Sequence, residues 1–483
     1  MFIGLDLGTT GLRALLVDSA GRPIASAEAA LPVAHPQPGW SEQDPADWIG
    51  AARQVLTRLR TERPEAMAWL RGIGLAGQMH GATLLDGAGR VLRPCILWND
   101  GRSGDQAAHL DRDPDTREIS GNIMFAGSTA PKLLWLREND PNLFDRVATV
   151  LLPKDYLSFW LTGQCVSDMS DGAGTGWMDV GARAWSPVLL ERGGMRGDQM
   201  PRLVEGCDVI GRVRGDLADE LGLPHGISVV AGAADNAAAA CGVGALQQGD
   251  GFVSLGTSGV LLAARDGFQP CPRRAVHSFC HAVPGSWYQM GVTLAATDSL
   301  NWLARITGAA PETLTGALGP GIDAPGPLRF LPYLSGERTP HNDSAVRGAF
   351  VGLDIGMGRD ELTRAVLEGV CFALCDSWQA LRAAGAQLSR LVAIGGGTRS
   401  RYWCELLATV LNLPVDLPEQ GEFGAAMGAA RLAICGVTGA EPAAVMTRPP
   451  VAETIVPRSD LRGACDDAYG AYADSYSILK AMP

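Results

Sequence analysis

The chain has 483 residues, 46% of them hydrophobic and 19% charged, and a formal net charge of −12. That length exceeds what a single core usually serves, and the composition is that of an ordinary globular protein, so two folded domains are expected rather than a disordered chain. An acidic chain without a dense Lys/Arg run also lacks the electrostatic footprint of a nucleic-acid or anionic-membrane binder.

In chain order, "FIGLDL", a Gly-Thr turn and "LRALLVD" predict a β-hairpin over residues 2–18, closed by the turn "SAGRP". "SEQDPADWIGAARQVLTRL" predicts an amphipathic helix, with Asp44 as its N-cap and Pro45 as its first residue. "MAWLRGIGLAGQMHGATLLD" reads as strand, loop, strand. Helical patterns and short strands alternate from there to "ISVVAGAADNAAAACGVGALQQGD". Then the plan restarts with a second hairpin, "GFVSLGTSGVLLAA", the helix "TDSLNWLARITG" and the strand "PLRFLPYL". The long helix "GRDELTRAVLEGVCFALCDSWQALRAAG" follows, then a strand and glycine turn, "LSRLVAIGGG", and the helix "SRYWCELLATVLN". A repeated α/β grammar predicts two like domains, 1–244 and 245–483, with a cleft between them and a boundary in the glycine-rich "GVGALQQGDG".

Eleven cysteines are an odd number, no C-x-x-C pair occurs, and Cys241, Cys371, Cys375 and Cys435 fall in apolar, helix-like stretches. Buried free thiols in a reducing compartment follow, rather than disulfides or a zinc site. The N-terminus has no basic leader region, and Asp6 and Arg13 interrupt its apolar run. No stretch reaches membrane-spanning length, so the cytoplasm is the expected location and no membrane partner is expected.

Small residues in a turn let backbone N–H groups approach an anion, and Thr or Ser hydroxyls add donors. A single such turn is weak evidence; one at the head of each half suits a polyphosphate pinched between domains. The turn residues are Gly8, Thr9 and Thr10 in the first copy, and Gly256, Thr257 and Ser258 in the second. Asp6 stands in the first copy alone. One carboxylate suffices for a nucleotide's Mg²⁺, which keeps several waters, and there is no Gly-Lys dipeptide for a P-loop. Arg13, just past the first turn, is a candidate phosphate contact. Gly396 and Gly397, between a strand and a helix start, admit a ligand close to backbone.

Asp235 and Asn236 precede an Ala-rich helix. They read either as its N-cap or, with Asn236 as the cap, as a site where Asp235 takes a proton in the cleft. Gln78, Met79 and His80 of "GQMHG" offer polar and apolar surface together, which suits a sugar. "SGERTPHN", residues 335–342, is a further polar loop whose charges are expected to pair with each other.

With these residues assembled, the chain resembles the FGGY carbohydrate kinases. The likeness runs through "GLDLGTTGLRALL", "GWSEQDP", "GQMHGATLLD", "ILWNDGR", "TAPKLLWL", "LLPKDYL", "SDMSDGAGT", "DNAAAACGVG", "LGTSGV", "FLPYLSGERTPHN", "RAVLEGV" and "GAAMGAARLA". "GQMHG" is its specific part, because the glycerol-phosphorylating members carry a different polar motif there. The resemblance implies two duplicated ribonuclease H-like domains, as in actin, Hsp70 and the sugar kinases. It also implies phosphorylation of D-xylulose by ATP with Mg²⁺, in D-xylose catabolism. Asp235 would be the catalytic base, and Asp6 would serve the metal–phosphate region. Gln78, Met79, His80, Asp235 and Asn236 would hold the sugar, the two turns the phosphates, and Gly396 and Gly397 the adenosine. A homodimer is the candidate assembly. The alternatives are a kinase for ribulose, L-xylulose or a polyol, or an actin/Hsp70-like ATPase.

Overall fold

The computed structural model describes residues 1–419 and 424–481. Strands β1 (Phe2–Leu7), β2 (Gly11–Val17) and β3 (Pro23–Ala30) form an antiparallel meander. On the other side of β1 lies β4 (Gly72–Gly77), parallel to it. The edge strand β5 (Val209–Arg212) pairs antiparallel with β6 (Ser228–Val230), which runs parallel to β4.

The second half repeats this plan. Its hairpin is β7 (Gly251–Leu255) and β8 (Gly259–Arg265), extended by β10 (Trp287–Thr293) and, beyond it, β9 (His277–Cys280). Parallel to β7 run β11 (Leu391–Ile394) and β12 (Val415–Pro418), and β13 (Val451–Ile455) closes the edge antiparallel. The orders β3-β2-β1-β4-β6 and β10-β8-β7-β11-β12 therefore correspond strand for strand, each with an antiparallel edge strand beside its last member. This is the duplicated α/β plan that the sequence predicts.

Strand β1 is buried on both faces because a helix covers each side. Ile3, Leu5 and Leu7 pack with Trp48, Ala52 and Val55 of helix α1 (Pro45–Glu62), whose N-cap Asp44 accepts from the Ala46 N–H. Phe2 shares a core cluster with Ala429 and Ala433 of helix α4 (Ala425–Thr438), which comes from the other half of the chain. By strand alternation Asp6 belongs to the same face as Phe2 and Gly4, the face turned toward that second half.

Helix α4 lies unusually close to the sheet. A Cβ on Gly4 would come within 1.8 Å of the Ala426 carbonyl oxygen, and one on Gly74 within 1.9 Å of that of Ala429. A Cβ on Gly428 would meet the Ala238 oxygen at 1.7 Å, on helix α2 (Asp235–Val243). Apart from Asp235 and Asn236 at the start of α2 and Arg431 in α4, both helices are built of small and apolar residues, the pattern of a helix enclosed on every side. Arg431 of α4 donates to the Cys241 and Gly242 carbonyls at the C-terminal end of α2, 3.0 Å each. The two halves thus share one core beneath the cleft. The eleven cysteines are all free, and among the described residues no helix is long and apolar enough to cross a membrane.

Candidate active site

The sheet register brings the two expected acids together. Asp6 of β1 pairs with Ala76 of β4, and Ala76 pairs on its other side with Ala233, part of a two-residue strand leading into α2. Asp6 and Asp235 therefore emerge at the same end of the two strands that flank β4. Burial pushes the Asp6 carboxyl up to about 7, the charge of Asp235 adds to that, and Arg13 opposes it. Burial also pushes Asp235 up to about 6, against hydrogen bonds from the Asn236 backbone and side chain.

Those hydrogen bonds both end on one oxygen: Asp235 Oδ1 accepts from Asn236 N at 2.6 Å and from Asn236 Nδ2 at 2.9 Å. Oδ2 has no hydrogen bond among the described residues. The helix cap expected at this position is not formed. Ala234 is the N-cap residue, without a side-chain cap, and Asn236 spends its amide on Asp235 instead.

His80 sits at φ 69°, a left-handed conformation that is uncommon outside glycine and worth notice at a functional loop. Its Nδ1 lies 2.6 Å from the Gly174 carbonyl. A carbonyl only accepts, so Nδ1 carries the proton and Nε2 presents a lone pair. Burial, then the Lys132 ammonium, push the imidazole down to about 3, so it is neutral at ordinary pH. Met79 is buried beside it; a Cβ on Gly174 would meet both Met79 Cε and His80 Cε1 at 2.7 Å.

Gln78 departs from the expected direct sugar contact. Its Oε1 accepts from the Thr9 hydroxyl at 3.0 Å and its Nε2 donates to Gln43 at 3.0 Å, so it ties the first turn to the GQMHG loop. Gln43 also donates to the Thr9 carbonyl at 2.6 Å, and Trp98 Nε1 to the Thr9 hydroxyl at 2.9 Å. Arg13 pairs with Glu28 on the neighbouring strand. A cavity of about 350 Å³ opens between Asp6, Thr10 and Arg13.

In the second turn, Gly256 and Thr257 give their carbonyls to the start of helix α3 (Thr297–Thr307). The hydroxyls of Thr257 and Ser258 make no hydrogen bond among the described residues. Beyond this turn lies a cavity of about 560 Å³, lined by Gly396, Gly397, Asn301, Glu312 and Tyr402 among others. Gly395 and Gly397 press on the hairpin, where a Cβ on Gly397 would come within 2.7 Å of Leu255 Cβ. A Cβ on Gly396 would meet nothing within 4 Å, so that position faces open space.

The charges of "SGERTPHN" do not pair with each other. Glu337 accepts from the Thr293 hydroxyl at 2.6 Å and from two backbone N–H groups, while the Arg338 guanidinium lies 3.8 Å over the Phe125 ring. Sequence reasoning also passed over Lys132. Its fully buried ammonium donates to the His80 and Gly127 carbonyls, 2.7 Å each, and pins the strained loop from below. A lysine inside the apolar run "TAPKLLWL" was the available signal.

Residues 1–242 match the N-terminal domain, and residues 251–437 the C-terminal domain, of the FGGY family of carbohydrate kinases. The chain is 46% identical over 435 residues to a xylulose kinase of Escherichia coli (strain K12), covering 90% of this chain and 89% of that one. Its fold matches the crystal structure of a xyloylose kinase from Brucella ovis with a TM-score of 0.97 and 54% identity, over 100% of this chain and 99% of that one. A xylulose kinase from Rhodospirillum rubrum follows at a TM-score of 0.90 and 32% identity, over 99% and 98%. Two acids at one end of the first sheet, a glycine turn at the head of each half and matches to both family domains lead to one assignment: the chain belongs to the FGGY family of carbohydrate kinases.

Proposed function

We propose that this kinase transfers the γ-phosphoryl group of ATP to the terminal hydroxyl of D-xylulose, in the cytoplasm. The observation that carries this reading is the pairing of Asp235, with one bare carboxylate oxygen, and a neutral His80 whose Nε2 can only accept, on a chain whose relatives are xylulose kinases. The sugar lies between them. His80 Nε2 accepts from a sugar hydroxyl, Met79 packs on the carbon skeleton, and Asp235 Oδ2 faces the hydroxyl that reacts.

The hydroxyl oxygen attacks the γ-phosphorus, forming a new P–O bond. The bond from the γ-phosphorus to the bridging oxygen breaks, and its electron pair leaves with ADP. Asp235 Oδ2 takes the hydroxyl proton, a transfer suited to a carboxyl poised near 6. Phosphoryl transfer asks the protein mainly for positioning and charge stabilisation. Gly8, Thr10, Gly256, Thr257 and Ser258 supply backbone and hydroxyl donors to the phosphates, and the large cavity beside Gly396 and Gly397 receives the adenosine. Arg13 lines the same cavity as Asp6 and Thr10 and offers its guanidinium to a phosphate there.

The donor set fits Mg²⁺. Asp6 places one carboxylate in a polar cavity beside a second acid, and a hard cation with several waters relieves that crowding of negative charge. Asp6 would hold it, and when bound it supplies neutralisation of phosphate charge. Gln78 acts one step back, as the brace between Thr9 and the sugar loop.

The test is coupled ADP release over a panel of D-xylulose, D-ribulose, L-xylulose and glycerol. D-xylulose should give the highest kcat/KM, because a site built to bond particular hydroxyls rejects epimers that leave its groups unpaired. A higher value for any other acceptor overturns the substrate assignment.

A further inference from the structure

Behind Asp235 lies a buried charge cluster with no role in the chemistry described so far. Lys154 Nζ sits 2.5 Å from Asp155, 2.9 Å from Asp168 and 3.7 Å from Asp171, and every one of these side chains is at most 1% exposed. The three carboxylates are spaced closely enough to hold a metal ion, but the lysine ammonium already fills the cation's place. Four ionisable groups out of water are poor value as a source of stability, since a well-packed apolar cluster often serves as well or better. What they offer is fixed direction.

That direction can be followed bond by bond. Asp168 Oδ2 accepts from Ser170 N at 2.7 Å and from the Ser170 hydroxyl at 2.5 Å. With its one proton committed to Asp168, Ser170 Oγ turns a lone pair outward, and it accepts from the Ala234 N–H at 3.0 Å. Lys154 also reaches the Ala231 carbonyl at 3.4 Å. Both lines end on the segment that leads into Asp235. Helix α2 has no side-chain cap, so among the described residues the Ser170 contact is the one side-chain hydrogen bond to the backbone of residues 233–235.

We propose that Ser170 is a positioning residue for phosphoryl transfer: oriented by Asp168 and Lys154, its hydroxyl fixes the Ala234 peptide and so aims the free oxygen of Asp235 at the sugar. This rests on the reading of Asp235 as the base. The carboxylate is already tied to Asn236 through Oδ1, so a tilt of the 233–234 peptide, carried through Ala234, moves the pair as a unit and displaces Oδ2. The loss falls on the reacting geometry and not on sugar affinity, which His80 and Met79 supply from another loop.

The experiment compares Ser170→Ala, Ser170→Thr and Asp235→Asn in the full chain. It measures kcat, both KM values, xylulose Kd by calorimetry and Tm. Ser170→Ala should lower kcat about 10- to 100-fold with xylulose Kd and ATP KM within about twofold of wild type, the signature of a misplaced reacting group. Ser170→Thr, which keeps the hydroxyl, should recover most of the lost kcat. Asp235→Asn should lower kcat about 10²- to 10⁴-fold, the usual contribution of a general base. If Asp235→Asn collapses while Ser170→Ala turns over like wild type, the base stands and the positioning role falls. Parallel decline of kcat, KM, Kd and Tm in Ser170→Ala, with no recovery in Ser170→Thr, also overturns it by showing a merely structural serine. If Asp235→Asn keeps its turnover, the base reading fails and takes this proposal with it.

Discussion

The two glycine hairpins read almost alike, Leu-Gly-Thr-Thr-Gly at 7–11 and Leu-Gly-Thr-Ser-Gly at 255–259, yet they close differently. In the first, Leu7 pairs with Leu12 across a turn of residues 8–11; in the second, Leu255 pairs with Gly259 across residues 256–258, one residue tighter. Asp6 has Ser254 as its counterpart. The first turn is braced by side chains of its own half, with Gln78, Gln43 and Trp98 all bonded to Thr9. The second is anchored through its carbonyls to the helix that follows β10, and leaves its hydroxyls open. Duplication supplied two glycine turns, and their surroundings made one a rigid mount for an acid and left the other with its hydroxyls open. The first half should therefore govern chemistry and sugar, and the second the nucleotide.

The most severe way to break that division is Asp6→Asn. If the acid of the first hairpin stabilises transferring phosphate charge, kcat should fall about 10²- to 10³-fold, as when one electrostatic contact to the transition state is lost. A pH profile sharpens the result. Carboxyls pushed up to about 7 and about 6 are neutral below those values, so wild-type kcat/KM for ATP should fall as pH drops through that window. Asp6→Asn removes the upper ionisation and leaves an acid limb near 6, set by Asp235. An unchanged profile with near-normal kcat would place Asp6 outside the reaction.

Local chemistry explains what was legible in the sequence. Both hairpins, the Asp44 cap of α1 and the glycine turn at 395–397 depend on residues next to one another in the chain. The meeting of the two acids is different, because it needs the register of β1 and of residues 233–234 on the two sides of β4. The errors concern partners far apart in sequence. Gln78 has a polar side chain in a candidate sugar loop, but Thr9 and Gln43, 69 and 35 residues away, claim it. Asn236 fits an N-cap by type, and Asp235 beside it competes for the amide. Helix α4 reads as an ordinary element of the second half. Its crossing to the first sheet depends on Gly4 and Gly74, whose missing side chains leave the space it fills.

A milder break separates sugar from nucleotide within the first half. His80→Ala removes the accepting Nε2 and leaves a sugar hydroxyl unpaired, a loss of about 1–3 kcal/mol or about 5- to 150-fold in xylulose affinity. ATP KM should hold, because the adenosine cavity is lined from the second half. Because His80 occupies a left-handed backbone position, His80→Asn, which tolerates that conformation, is the better-folded companion. Equal weakening of both ligands in both variants would show that the imidazole only props the cleft, and the division of labour between the halves would lose its clearest marker.

The smallest effect belongs to the second hairpin. Thr257→Ala with Ser258→Ala removes two hydroxyls that have no partner among the described residues, so Tm should stay within experimental error. The backbone N–H groups of the turn remain, and these carry the sharper geometry toward an anion. Open to water, each hydroxyl contributes about 0.5 kcal/mol, the low end for a hydrogen bond, so losing the two together raises ATP KM by roughly 5-fold and by less if water takes their place. Xylulose Kd should not change. The same pair of changes also tests how the two turns diverged. Thr9→Ala in the first turn loses bonds to Gln78 and Trp98 and should lower Tm and xylulose affinity together, since it unties the sugar loop from the strand that holds Asp6. If the second-turn variant instead loses stability while the first-turn variant loses only ATP affinity, the roles assigned to the hairpins are reversed.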